Sequence, residues 1–189
     1  MSRPALFLDR DGVINIDHAY VNRKDNFEFV EGIFDLCRSA KQLGFLICVV
    51  TNQAGIGRGY YSEKDFLELT SWMCAVFKEQ GCEISKVYFC PAHPEHGIGV
   101  YKTDSYFRKP NPGMILQAAK ELNIDLTVSV LVGDNETDIH AGIAAGVKYN
   151  LLYCTNLTNI ANDTVATKVV RYLHEALPFL ELNLFSATK

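Results

Sequence analysis

Leu6-Phe7-Leu8-Asp9-Arg10-Asp11-Gly12-Val13 is an apolar run that ends abruptly in two carboxylates and a glycine. It reads as a buried strand that delivers charge at its carboxyl end. Successive side chains on an extended strand point to opposite faces, so the spacing sets Asp9 and Asp11 in one direction and Arg10 in the other. Two converging carboxylates need a counter-ion, such as a divalent metal held through oxygen, or else one of them must hold a proton. Gly12 permits a tight exit that leaves both groups accessible. Taken alone, the octapeptide reads equally as a surface turn with solvated aspartates.

The rest of the chain repeats the pattern. A polar and aromatic loop, residues 14–31, is long for a strand-to-helix connection. Ile33, Leu36, Cys37, Ala40 and Leu43 follow at helical spacing, and Gly44 closes them. Phe45 to Val50 is a continuous apolar run, as expected of a strand buried on both faces, and it ends in Thr51-Asn52-Gln53. Ser62 with Asp65 opens a helix carrying an apolar stripe of Phe66, Leu69, Met73, Val76 and Phe77. Lys86 to Cys90 is a third strand, and an irregular Gly/Pro/His segment runs from Pro91 to Phe107.

Arg108-Lys109-Pro110 comes next, with Asn111 expected as N-cap and Pro112 as the first residue of a helix that reaches about Leu122. A strand from Val128 to Val132 leads into Gly133-Asp134-Asn135-Glu136-Thr137-Asp138 and a small-residue helix, Ala141 to Ala145, ending at Gly146. A fifth strand spans Lys148 to Cys154, and a last amphipathic helix is expected from near Thr167.

Alternating strands and helices predict an α/β fold, a Rossmann-like parallel sheet with helices on both faces, as one domain over residues 1–189. Ligands of such sheets bind outside the carboxyl ends of the strands, where strand order reverses. The polar clusters Asp9/Asp11, Thr51-Asn52-Gln53, Arg108-Lys109 and Asp134/Asp138 all fall there. Four coincidences are hard to obtain from solvated turns.

Composition narrows the function. A hydrophobic content of 48% with 21% charged residues suits one ordinary globular domain. A net charge of -4 without a Lys/Arg run points away from nucleic acid and anionic membranes and toward a small-molecule partner. No apolar segment approaches the roughly 20 residues that span a bilayer, and the start leads straight into a strand, so a cytoplasmic location is expected. The sequence says little about oligomeric state, and a monomer is the default expectation. The six cysteines show no paired spacing and read as reduced.

Gathered in one crevice, these groups make a kit for phosphoryl transfer. Asp9, Asp134 and a backbone carbonyl near Asp11 can hold Mg2+, while Lys109 and Thr51 can bind the remaining phosphate oxygens. Asp9 suits the role of nucleophile, forming and losing an aspartyl phosphate. Asp11 can protonate the leaving alkoxide and then take a proton from the attacking water.

Asp9-Arg10-Asp11-Gly12-Val13, Val50-Thr51-Asn52, Arg108-Lys109-Pro110 and Gly133-Asp134 with Asp138 resemble the four motifs of the haloacid dehalogenase superfamily of phosphatases. Within it, Asn15-Ile16-Asp17-His18-Ala19-Tyr20-Val21, Asp25-Asn26-Phe27-Glu28-Phe29, Thr51-Asn52-Gln53-Ala54-Gly55-Ile56, Cys90-Pro91 and Arg108-Lys109-Pro110 are similar to the D-glycero-D-manno-heptose 1,7-bisphosphate phosphatases. The resemblance implies removal of the C7 phosphate, a cytoplasmic step toward the activated heptose of lipopolysaccharide core, with only loops in place of a cap domain. It implies Asp9 as nucleophile and Asp11 as proton donor. It places Mg2+ at Asp9, Asp11 and Asp134, with Asp138 standing behind them, and substrate contacts at Asp17, His18, Tyr20, Thr51, Asn52, Gln53, Arg108 and Lys109.

The chain departs from that pattern in two places. The family's zinc loop uses Cys-x-His and a later Cys-x-Cys, but here Cys90 stands with Ala92, Ser105 and Phe107 at the other positions. Structural zinc needs four ligands, so none is expected, His93 and His96 notwithstanding, and Ile98, Val100, Tyr101, Tyr106 and Phe107 are expected to hold the loop by apolar packing. Asn135 also replaces a lysine common in the heptose enzymes. Histidinol-phosphate phosphatase is the nearest rival, sharing these motifs. From another class comes a non-catalytic signalling domain that merely accepts phosphate, although such domains place the acceptor after the third strand, where this chain has Cys90-Pro91.

Overall fold

The computed structural model describes residues 2–156 and 163–182. Six parallel strands, β1 (Ala5–Leu8), β2 (Leu46–Asn52), β3 (Lys86–Cys90), β4 (Val130–Gly133), β5 (Tyr149–Tyr153) and β6 (Lys168–Val170), form one sheet in the order β3-β2-β1-β4-β5-β6. The chain moves outward from β1 to β3 and then returns to the other side of β1. Strand order therefore reverses between β1 and β4, and the crevice expected of such a sheet opens at their carboxyl ends.

Six helices cover the sheet: α1 (Ile33–Gln42), α2 (Ala54–Gly57), α3 (Glu63–Glu79), α4 (Gly113–Leu122), α5 (Glu136–Ala145) and α6 (Leu177–Glu181). The side chains of β1 explain the layering, since all four are buried. Leu6 and Leu8 face one cluster with Leu36, Cys37, Met73 and Leu180, while Ala5 and Phe7 face another with Met114, Ile115 and Ile139. A strand clamped in this way tolerates no polar residue until it ends, which is why charge begins at Asp9. Helix starts are fixed locally: Ser62 and Asp65 form a reciprocal cap on α3, and Asn135 and Asp138 do the same on α5. Among the described residues no helix is long and apolar enough to cross a membrane.

Three expectations need correction. The segment from Thr167 is not the start of a helix but edge strand β6, followed by a 3-10 turn at Leu173–Ala176 and then α6. Val170, Leu173, Ala176 and Leu180 are all buried, and their spacing imitates a helical stripe. The strand wins because Thr167 and Asn150 exchange hydrogen bonds that extend the ladder. Asn111 does not cap α4, because its amide donates to the Ser105 carbonyl at 3.1 Å and Pro112 takes the cap position.

The 91–107 loop is not held by apolar packing. Ile98, Val100, Tyr106 and Phe107 are exposed, Val100 at 87%, and only Tyr101 packs inward, against Ile56, Tyr61 and Phe66. Backbone hydrogen bonds hold it instead: His93 N–H to Tyr101 O, Gly97 N–H to His93 O, and Ile98 N–H to Gly57 O. A side chain at Gly57 would sit 2.3 Å from the Pro91 carbonyl, so the close approach of this loop requires glycine there.

Phe7 is fully buried at the centre of the sheet. Phe7→Ala is expected to lower unfolding free energy by about 3–5 kcal/mol, measured by urea denaturation.

Candidate active site

The end of β1, strand β2, the first turn of α5 and the turn before α4 meet at one ammonium group. Lys109 is 3% exposed, and its Nζ lies 2.9 Å from Asp9 Oδ1, 2.5 Å from Asp138 Oδ1 and 2.8 Å from the Val50 carbonyl. Burial pulls the Lys109 pKa down, but Asp138 and Asp9 outweigh it and hold it above its ordinary value. Asn52 places the lysine by clasping its main chain, donating from Nδ2 to Lys109 O at 3.1 Å and accepting from Lys109 N–H at 3.0 Å. Asn52, expected to touch substrate, thus also holds the lysine main chain.

Carboxylate oxygens of Asp9, Asp134 and Asp138 lie within 4.8 Å of one another. Burial, opposed by Lys109 and reinforced by Asp138 and Asp11, pushes the Asp9 pKa up to about 7. Burial and the charges of Asp9 and Asp138 push Asp134 up to about 8. Three carboxylates against one ammonium leave a surplus of two negative charges, which an oxygen-seeking divalent cation matches. Asp138 is already engaged on both oxygens, by Lys109 and by the Asn135 N–H at 3.0 Å, so it serves to hold the lysine and the start of α5. Gly12 has φ +85, and a Cβ there would lie 2.0 Å from Asp134 Oδ2, so both its conformation and its bareness admit Asp134 to the cluster.

Asp11 belongs to a different set of partners, contrary to the strand alternation. Strand β1 ends at Leu8, and the tight turn through Gly12 frees residues 9–11 from the pleat. Arg10 is buried and curls back, with Nη2 2.8 Å from each Asp11 oxygen, 2.7 Å from the Val21 carbonyl and its guanidinium over the Phe66 ring. Asn15 Nδ2 donates to Asp11 Oδ1 at 3.1 Å and Gln53 Nε2 to Asp11 Oδ2 at 3.0 Å. The Asp11 side chain, expected on the metal, is thus directed to Arg10, Asn15 and Gln53.

A cleft of about 350 Å3 opens beside it, lined among others by Asp11, Asp17, Tyr20, Gln53, Tyr61 and Arg108. Of the expected substrate contacts, Asp17, Tyr20, Asn52, Gln53 and Arg108 border this cleft. Thr51 is buried beneath it, accepting from Gln53 Nε2 at 2.9 Å. His18 is not brought there, since it faces Glu28 at 3.6 Å in a separate hollow.

Sequence reasoning missed the contacts of Arg10 and Asn15 with Asp11 and that of Tyr61 with Gln53. The polar Asn15, four residues after Asp11, was the available signal. In the 91–107 loop, His93 Nδ1 accepts the Glu95 and His96 amides and Arg108 Nη1 donates to Ala92 O.

Raised pKa values mean that Asp9 and Asp134 hold protons in the metal-free fold between about pH 4 and 8 that the unfolded chain has released. Metal-free stability therefore declines as pH rises through that window. Mg2+ displaces those protons, so it binds more tightly as pH rises. The rise in melting temperature on adding Mg2+ is expected to be larger at pH 8 than at pH 6; equal rises would overturn this account of the cluster.

A family model described as HAD-hyrolase-like matches residues 106–176. The chain is 57% identical over 181 residues, 95% of each chain, to a D-glycero-alpha-D-manno-heptose-1,7-bisphosphate 7-phosphatase of Burkholderia mallei. It is 50% identical over 155 residues, 82% of this chain and 83% of the relative, to the D-glycero-beta-D-manno enzyme of Vibrio cholerae. Among solved structures it superposes on a HAD-like phosphatase from Mesorhizobium loti with TM-score 0.86, 33% identity and coverage of 96% and 88% of the two chains. A D,D-heptose 1,7-bisphosphate phosphatase from B. bronchiseptica, complexed with magnesium and phosphate, superposes with TM-score 0.80, 25% identity and coverage of 95% and 98%. Identity of 57% along nearly the whole length, with superposition on a heptose bisphosphate phosphatase over 95% of this chain, leads to one assignment: the chain belongs to the heptose 1,7-bisphosphate 7-phosphatase family of haloacid dehalogenase-like hydrolases.

Proposed function

We propose that this chain removes the C7 phosphate of D-glycero-D-manno-heptose 1,7-bisphosphate, by way of an aspartyl phosphate on Asp9, in the cytoplasmic synthesis of the lipopolysaccharide core heptose. The observation that carries the reading is the separation of two aspartates only two residues apart. Asp9 sits in the buried cluster on Lys109, and Asp11 sits on Arg10 and Gln53 at the cleft wall. Such a divergence of environments assigns different roles to like groups.

An Asp9 carboxylate oxygen attacks phosphorus, the bond from phosphorus to the sugar oxygen breaks, and Asp11 gives its proton to the departing alkoxide. Asp11, now ionised, takes a proton from water as that water attacks the aspartyl phosphate, which releases inorganic phosphate and restores both carboxyl groups. Lys109 offsets charge at Asp9 throughout. Asp9 and Asp134 would hold Mg2+ with the Asp11 main chain. When bound, the ion neutralises phosphate charge as the transition state develops.

Arg58 and Arg108 support a second phosphate on the substrate. Neither is ion-paired with a carboxylate among the described residues, and Arg58 Nε is buried without a partner. Burial holds Arg108 below its ordinary pKa and, against the pull of Cys90, the Arg58 charge adds to the effect. An anion between the two cations relieves that repulsion. The reading gives the enzyme a small sugar phosphate as its partner, with no nucleic acid or membrane, no structural zinc and a single active chain. It favours the alpha anomer, the one named for the Burkholderia mallei relative.

Asp9→Asn is expected to abolish Mg2+-dependent phosphate release while the circular dichroism spectrum is retained; a turnover within tenfold of wild type would remove Asp9 as nucleophile and favour a binding domain. Measuring kcat/KM on both heptose bisphosphate anomers, the 7-monophosphate and histidinol phosphate tests the substrate: preference for the amino alcohol overturns the assignment. Arg58→Ala is expected to raise KM about tenfold for the bisphosphate and to leave the 7-monophosphate unchanged.

A further inference from the structure

Tyr61 lies outside the chemistry assigned above, yet its hydroxyl is aimed at the groups that hold Asp11. Its Oη donates to Gln53 Oε1 at 2.6 Å, and Gln53 Nε2 donates in turn to Asp11 Oδ2 at 3.0 Å and to Thr51 Oγ1 at 2.9 Å. Gln53 is 1% exposed and Tyr61 8% exposed, so this chain of hydrogen bonds runs through the wall of the cleft.

The direction of the chain follows from the partners of Asp11. Its oxygens already accept from Arg10 and Asn15, and the Gln53 amide turns its NH2 toward Asp11 Oδ2 and its oxygen toward Tyr61. Only a donor satisfies that oxygen, and Tyr61 is the donor supplied. A primary amide has nearly the same shape when flipped, and packing alone does not fix which end faces Asp11. Burial pushes the Tyr61 hydroxyl up to about 12, so it keeps its proton over the working range.

Local architecture makes room for this one contact. A Cβ at Gly55 would lie 2.2 Å from Tyr61 Cε1 and 2.8 Å from its hydroxyl, so the bareness of this second residue of α2 is what lets the ring reach Gln53. Tyr61 then packs with Ile56 and Phe66, the same Phe66 that lies under the Arg10 guanidinium. Two of the three groups that hold Asp11, Arg10 and Gln53, therefore rest on one small apolar cluster.

We infer that Tyr61 is a positioning residue: its O–H fixes the orientation of the Gln53 amide, and through it the placement of the Asp11 carboxyl for proton transfer. The inference rests on the reading of Asp11 as proton donor and acceptor. Without the Tyr61 donor the amide is free to flip and present its oxygen to the Asp11 carboxylate, which removes a donor and adds a repulsion.

Steady-state kinetics on the heptose bisphosphate test this with wild type, Tyr61→Phe, Gln53→Ala, the double variant and Asp11→Asn, each with its melting temperature. Tyr61→Phe is expected to lower kcat about tenfold with KM within about twofold, and the double variant to be no slower than Gln53→Ala alone. Gly55→Ala, which drives the ring off Gln53, is expected to reproduce the loss of kcat and covers the case of a poorly folded Tyr61→Phe. Wild-type kcat in Tyr61→Phe, a rise in KM alone as for a direct substrate contact, a loss that merely tracks the folded fraction, or multiplying losses in the double variant would each overturn the inference. If Asp11→Asn turns over normally, the reading of Asp11 itself fails; if Asp11→Asn is dead while Tyr61→Phe is unaffected, only the role of Tyr61 fails.

Discussion

A single buried ammonium organises this active site. Lys109 reaches from the turn before α4 into the gap between β1 and α5, where Asp9, Asp138 and the Val50 carbonyl accept from its ammonium. Withdrawing a charge so far from water is strongly unfavourable unless partners surround it. Here two carboxylates do so, and the same lysine makes it possible to hold three aspartates in one small volume. Remove the cation and the carboxylates repel; remove the carboxylates and the cation is stranded. The clasp of Asn52 on the Lys109 main chain ties this balance to the end of β2. Four segments distant in the chain are thereby committed to one geometry.

That commitment lets two nearly adjacent aspartates do different work. Asp9 is kept in a dry, anionic pocket whose surplus charge calls for a metal. Asp11 is turned away by Arg10, whose buried guanidinium also anchors the 14–31 loop through the Val21 carbonyl. In the proposed reaction Asp11 donates and then accepts a proton, which calls for a fixed position at the cleft wall, and Arg10, Asn15 and Gln53 provide one.

The loop from Pro91 to Phe107 solves a different problem. Of the zinc-ligand pattern that the resemblance implied for this segment, only Cys90 stands here. In this chain the loop closes on its own backbone, on the His93 ring and on the Arg108 guanidinium, and it leans on the bare Gly57. Polar contacts suffice because the loop lies at the rim, where its side chains stay in water.

How much of this was legible in the sequence follows from the range of the forces involved. Continuous apolar runs such as Phe45–Val50 and reciprocal caps such as Ser62/Asp65 and Asn135/Asp138 act over a few residues, so the strands, helices and parallel topology could be read directly. The reversal of strand order then gathered Asp9, Thr51, Lys109 and Asp134 at one edge, and the reaction type followed from their chemistry. Where spacing imitated another structure, as with Val170, Leu173, Ala176 and Leu180, local reading took a strand for a helix. Side-chain partners lay beyond it altogether: the retreat of Asp11 to Arg10, the use of Asn52 on a backbone, the distance of His18 from the cleft and the reach of Tyr61 past Gly55 depend on contacts between remote segments. By itself the sequence determined the sheet, the site's location and the phosphoryl chemistry, because periodicity and burial are written locally. Only the tertiary structure decided which partner each polar group meets, because desolvation and charge pairing are settled by whatever the fold brings within a few ångströms.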